Sequence, residues 1–212
     1  MRWPFLLAGI LMLALVWGGP LQAVAGHGFA AHMAMHMGVV AVAAPLMAAS
    51  IAGTRVDPSP GRPLLFGPLP ASLVELLVVW GWHAPGPHEA ARSHAGMFAL
   101  EQGSFLLSGL LVWIACLGFA ASGRAGRSLL GTLGLLLTSI HMTLLGALLA
   151  FATRPLYDHG GHAMPDHQLA DQQVGGIIML LVGGASYLLG GLVLMARLFR
   201  EPTGAGARGA PS

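Results

Sequence analysis

The sequence predicts an all-α polytopic membrane helix bundle: five spans, preceded by either a signal peptide or a sixth helix. Three observations carry this expectation. First, 55% of the 212 residues are apolar and only 8% are charged, against about 25% charged in ordinary soluble domains. Second, five stretches approach the ~20 apolar residues a membrane helix needs: roughly 27–53, 69–83, 93–121, 128–152 and 174–199. Third, arginine and histidine segregate to opposite ends of those stretches.

At the N-terminus, Arg2, an apolar run over 5–17 and the small-residue triplet Ala23-Val24-Ala25 fit a signal peptide with a cleavage site. They fit a retained first helix equally, and both place residue 26 onward outside the cytoplasm. Residues 1–25 are therefore one unit, 26–200 the membrane domain, and 201–212 a tail with too little apolar surface to order itself. The short second stretch is bracketed by Pro58, Pro60, Pro63, Pro68 and Pro70 before it and by Pro85 and Pro87 after it, all breakers. With the N-terminus inside, Arg2, Arg55, Arg62, Arg124, Arg127, Arg197, Arg200 and Arg208 lie inside and only Arg92 and Arg154 outside, as positive-inside bias requires. The histidines then fall in the outer half, and the C-terminal tail is cytoplasmic. In the last span Gly176, Gly183 and Gly190 repeat every seven residues, leaving one face open to a neighbouring backbone.

Composition also narrows function. A net charge of +2 from ten arginines and no lysine lacks the basic face that nucleic-acid binding demands, so no nucleic-acid partner is expected. A single cysteine, Cys116, rules out an internal disulfide and a Cys-rich zinc site. No Ser/Cys–His–acid set suggests covalent catalysis, and no enzyme activity is expected.

Ten histidines and eleven methionines are the unusual feature. His32 and His36 are four apart and share a helical face, with Met33 and Met37 one step around. Imidazole beside thioether suits copper, above all Cu(I). His83, at the end of Trp80-Gly81-Trp82-His83, sits at the same depth. His94, Met97 and Glu101 form one stripe, and Glu101 lies about two turns inside its apolar stretch, where it needs a polar partner. His141, about 18 Å of helix before Arg154, is the deepest histidine. The candidate metal ligands are thus His32, His36, Met33, Met37, His83, His94, Met97 and His141, and the proposed cofactor is copper. The outer loop adds His159, His162 and His167 as possible capture residues. Glu75 is expected to pair with a loop arginine, and Cys116 to be packing.

These pieces resemble, in order and spacing, the bacterial cytochrome c oxidase assembly factors of the CtaG type, associated with caa3-type oxidases. The resemblance runs from about residue 32 to 199. It is carried by His32-Met33, His36-Met37, Ala44-Pro45-Leu46, Trp82-His83-Ala84-Pro85, Ser104-Phe105, Pro155-Leu156-Tyr157 and, most specifically, Asp171-Gln172-Gln173 followed by Gly175-Gly176. It implies a multi-pass protein of the bacterial plasma membrane that acts on cytochrome c oxidase subunits. Asp171, Gln172 and Gln173, with Glu101, are then expected to support the ligands or handle protons. The family places histidines where this chain has Phe98 and Gln102, which implies a depleted site or substitution by His94. The residues themselves suggest copper delivery to the oxidase from an outward-facing site. A copper permease and a haem-binding membrane electron carrier are the alternatives.

Overall fold

The computed structural model describes residues 1–19, 28–61, 64–118, 124–157 and 165–199. Among them every regular element is helical. They are α1 (Trp3–Gly18), α2 (Phe29–Ile51), α3 (Pro68–Trp82), α4 (Pro85–Ser93), α5 (Ala95–Gly118), α6 (Arg124–Ala150) and α7, which runs as Pro165–Ile178, Met179–Gly183 and Gly184–Phe199. Four of these, α2, α5, α6 and α7, are long and apolar enough to cross a membrane. The expected span over 69–83 is instead a 15-residue helix, about 22 Å long at 1.5 Å per residue and so shorter than the ~30 Å hydrocarbon core. The 16-residue α1 is similarly short. The Ala23–Ala25 triplet and the 201–212 tail lie outside the described residues.

Helix α2 is the hub: α1, α5 and α7 all pack on it, while α6 packs along α7, α3 and α5. The outer surface of the bundle is aliphatic, with Leu77, Leu107, Leu144, Leu181 and Leu189 well exposed, as a lipid-facing surface requires. The interior, by contrast, holds histidine, glutamate, glutamine, serine and threonine. Close approach of α6 and α7 depends on the glycines: a Cβ on Gly176 would lie 2.4 Å from the Ala150 backbone nitrogen, and one on Gly146 would lie 2.9 Å from that of Leu180. Gly190 likewise makes room for the Trp113 ring.

Two helices contain π-helical turns. In α2 the turn spans Gly38–Ala43 and follows from Pro45, which has no N–H and whose ring collides with the carbonyl four residues back. The Ala44 N–H bonds Val39 instead, which releases the carbonyls of Val40 and Ala41. Trp113 Nε1 donates to Val40 at 3.1 Å and Ser186 Oγ to Ala41 at 2.7 Å. The Ala-Pro-Leu motif therefore locks α2 to α5 and α7 through exposed backbone, a common use of π-turns near functional sites.

The segment expected to run as one span over 93–121 is the single helix α5, Ala95–Gly118, and a separate short helix, α4, ends just before it at Ser93. Helix α4 was not expected, because Pro85 and Pro87 read as breakers. Proline at the first position of a helix starts it instead, since that N–H has no intrahelical partner in any case.

Candidate metal centre

Four helices bring their polar side chains to one buried point at the histidine-bearing end. From α2, His32 and His36 project inward, 3% and 1% exposed. From α5, Glu101 meets both: its Oε1 lies 3.2 Å from His32 Nε2 and 3.5 Å from His36 Nε2. The three donor atoms all fall within 4.8 Å of one another. Two ligands held roughly 2.05 Å from a tetrahedral metal stand about 3.3 Å apart, a spacing that the two Glu101–imidazole contacts share with hydrogen bonds.

His83 and His88 close the other side. His83 Nδ1 lies 2.7 Å from the Val79 carbonyl. A carbonyl only accepts, so Nδ1 carries the proton and Nε2 a free lone pair. That lone pair faces the Met33 sulfur at 3.3 Å. Two electron-pair donors thus confront each other with no proton between them, an arrangement that a soft cation relieves. The ring of His36 is 5.9 Å from that of His83, and the ring of His32 is 4.2 Å from His36 and 5.1 Å from His88. Burial, with His32 and His83 beside it, pushes the His88 imidazole down to about 2. It is therefore neutral at physiological pH, the form that binds metal.

A second layer orients this set. Trp17 of α1 donates from Nε1 to Gln102 Oε1 at 3.1 Å. An indole N–H only donates, so the amide must turn its NH2 toward His36 Nδ1, 3.2 Å away, and Glu101 Oε2, 3.4 Å away. His36 then accepts at Nδ1 and presents Nε2 toward the carboxylate, 3.5 Å away, where it has no hydrogen-bond partner among the described residues. Such outer partners set ring orientation and ligand basicity. Above the site Tyr157 stacks on Phe29 at 4.7 Å, and its hydroxyl donates to the His83 carbonyl at 2.8 Å. Together they cover the imidazoles.

Several expected ligands lie elsewhere. His94 is exposed at the α4–α5 junction, its Nδ1 2.9 Å from Ser93 Oγ. It does not stand in for position 102, because α5 begins just after it and directs the next turns, not the junction, inward. Met97 lines an apolar groove with Trp82 and Ala90. Met37 is buried but turned toward Gly183 of α7. His141 is 3% exposed on α6, and neither ring nitrogen has a hydrogen-bond partner among the described residues; no ring contact joins it to the four clustered histidines. His167 is exposed, and His159 and His162 lie outside the described residues.

The Asp-Gln-Gln triplet holds backbone together. Asp171 accepts from the N–H groups of Phe29 (2.5 Å) and Ala30 (3.3 Å), capping α2 from another helix. Gln172 Oε1 accepts from the Leu156 N–H at 2.7 Å, and Gln173 Nε2 donates to the Ala152 carbonyl at 3.0 Å. The triplet fixes the loop that carries Tyr157 and the first turn that carries His32, without contacting the His/Glu cluster itself. Glu75, expected to pair with an arginine, is instead fully buried and accepts from Tyr187 Oη at 2.5 Å.

Sequence reasoning missed His88 and Trp17. The signal for His88 was present: a histidine one turn into a proline-initiated helix, five residues after His83. Trp17 gave none, since it sits in a uniformly apolar helix whose neighbours are set only by packing.

No curated protein and no solved structure matches the chain. A family model, that of the cytochrome c oxidase caa3 assembly factor (Caa3_CtaG), matches residues 2–201, a range that takes in every helix and every side chain of the buried cluster. The chain belongs to the cytochrome c oxidase caa3 assembly factor family.

Proposed function

We propose that this assembly factor receives a copper ion in the pocket formed by His32, His36, His83, His88, Met33 and Glu101, and hands it to a cytochrome c oxidase subunit. One observation carries the reading: His32, His36 and Glu101 bring three buried donor atoms within 4.8 Å of one another, with His88 and His83 in ring contact with them and Met33 against His83. The site offers two kinds of donor set. His32, His36 and Glu101 are nitrogen and oxygen ligands suited to a borderline ion, while Met33 with His83 is a soft pair suited to Cu(I).

A neutral imidazole carries one proton, and with the Gln102 NH2 donating to Nδ1 the proton of His36 sits on Nε2. Ligation through Nε2 goes with a shift of that proton to Nδ1, Gln102 no longer donating there. Gln102, fixed by Trp17, sets the ring orientation in the metal-free site. In this reading α1 stays in the bundle, because Trp17 is needed to fix the Gln102 amide. The histidine-bearing end faces away from the cytoplasm, and Arg2, Arg55 and Arg197 lie at the cytoplasmic end, in keeping with positive-inside bias.

The test is metal analysis of purified protein after Cu(I) loading, beside His32→Ala/His36→Ala. Copper bound by the wild type and lost in the double variant, together with loss of active oxidase in the membranes, supports the reading. Equal copper in both proteins rejects it.

A further inference from the structure

A second buried polar centre lies toward the end of the bundle that carries Arg2 and Arg197, and copper handling does not use it. Glu75 of α3 is 0% exposed, as are Ser72, Thr138 and Tyr187 around it. Tyr187 Oη donates to Glu75 Oε1. Ser72 Oγ and Thr138 Oγ1 bond each other at 2.8 Å beside the carboxyl. Tyr187 stacks on Trp113 at 5.2 Å, and both reach the Val40 carbonyl released by the π-turn. Among the described residues Glu75 Oε2 has no hydrogen-bond partner, and no arginine or histidine forms an ion pair with this carboxyl.

The other ionisable groups near it are few. Cys116 on α5 and Tyr187 on α7 interact with it electrostatically, both neutral in their ordinary state, while α2 and α6 offer only the Val40 carbonyl and Thr138. His141 stands one turn farther along α6. An ionised Glu75 is therefore a charge in a low-dielectric interior with no counter-charge, which is far more costly than one hydroxyl left without an acceptor. A cavity of about 360 Å³ opens at the arginine-bearing end among Arg2, Gly53, Ser128 and Arg197, with Cys116 in its wall; Glu75 itself does not line it.

We infer that Glu75 is a proton-binding site that exchanges its proton with water in the cavity at the arginine-bearing end of the bundle. In the exchange the Oε2–H bond breaks, the oxygen keeps the electron pair, and the proton passes to a water molecule. The reverse step restores the neutral acid. Tyr187 keeps its proton throughout and steadies the carboxylate through Oε1. The inference does not rest on copper, because the metal-free protein is the one to examine.

The experiment is infrared difference spectroscopy of the full chain in lipid, metal-free, in H2O and D2O, at neutral and alkaline pH. The expected result is a protonated-carboxyl C=O band at neutral pH that is absent in Glu75→Gln and retained in Glu101→Gln. It shifts in D2O and is lost on raising the pH. Carbon-13 labelling of the four glutamates keeps the wild type informative if a variant does not fold, since the band must move with the label. Filling the cavity with Ala49→Phe is expected to slow the D2O shift. A band unchanged in Glu75→Gln overturns the assignment, an equally fast shift in Ala49→Phe overturns the route, and loss of the band on adding sodium at constant pH assigns the site to an alkali cation instead.

Discussion

The two buried centres share a helix and differ in almost everything else. The outer one, around His36, combines four imidazoles, a thioether and a carboxylate. The inner one, one turn along α2 at Val40, combines a carboxyl, three hydroxyls and a released backbone carbonyl. Nitrogen and sulfur donors select copper-like ions, whereas an oxygen set with no fixed counter-charge holds a proton. What a buried polar cluster does in a membrane bundle thus follows from its donor atoms and net charge, and burial alone does not decide it.

That contrast is broken most severely by removing ligands. His32→Ala/His36→Ala leaves Glu101 without either nitrogen partner and is expected to abolish copper binding, read as metal per protein. Loss of equal size in Glu75→Gln would erase the distinction, because the inner centre is expected to leave copper content unchanged.

Next come the residues that orient ligands. Gln102→Ala removes the group that holds His36 and is expected to weaken copper affinity by about 10–100-fold, the usual effect of losing an outer partner. Competition with a Cu(I) chelator measures it. Gln102→His adds an imidazole within reach of His36 and Glu101 and is expected to tighten binding.

At the inner centre, Tyr187→Phe strips Glu75 of its donor. The expected cost is about 1–3 kcal/mol for an unsatisfied buried acceptor, seen as a lower unfolding midpoint in detergent with copper stoichiometry unaltered. Asp171→Ala uncaps α2 and is expected to cost about 0.5–2 kcal/mol, again as lost stability with the copper content retained at low temperature. The smallest effect belongs to His94→Ala. Exposed at a helix junction, it should change stability by no more than about 0.5 kcal/mol and leave copper binding as it was.

Much of the outer centre was legible because helical spacing is local. His32 and His36 share a face for any α-helix, and a carboxylate two turns into an apolar helix must find a polar partner, so Glu101 stood out. His94 and Met97 were placed on the same stripe by the same rule, but α5 begins only at Ala95, so the rule holds for Met97 and Glu101 and leaves out His94. Met37 illustrates a different limit: it adjoins His36 in sequence, yet the step between neighbours on a helix is 100°, and that rotation points it at α7. Gln172 and Asp171 were recognisable as a motif, but a motif does not say whether its polar atoms face a ligand or another backbone.

The sequence by itself determined that this chain is helical and apolar on the outside, that most of its arginines lie toward the end opposite its histidines, and which family it resembles. Composition and short-range periodicity carry that information, and both are properties of the chain taken in order. Only the tertiary structure decided which histidines meet, that His88 and Trp17 belong with them, and that Glu75 bonds a tyrosine and not an arginine. Those outcomes depend on the rotation and crossing of helices far apart in sequence, set by where Pro45 opens a π-turn and where Gly146 and Gly176 let two backbones touch.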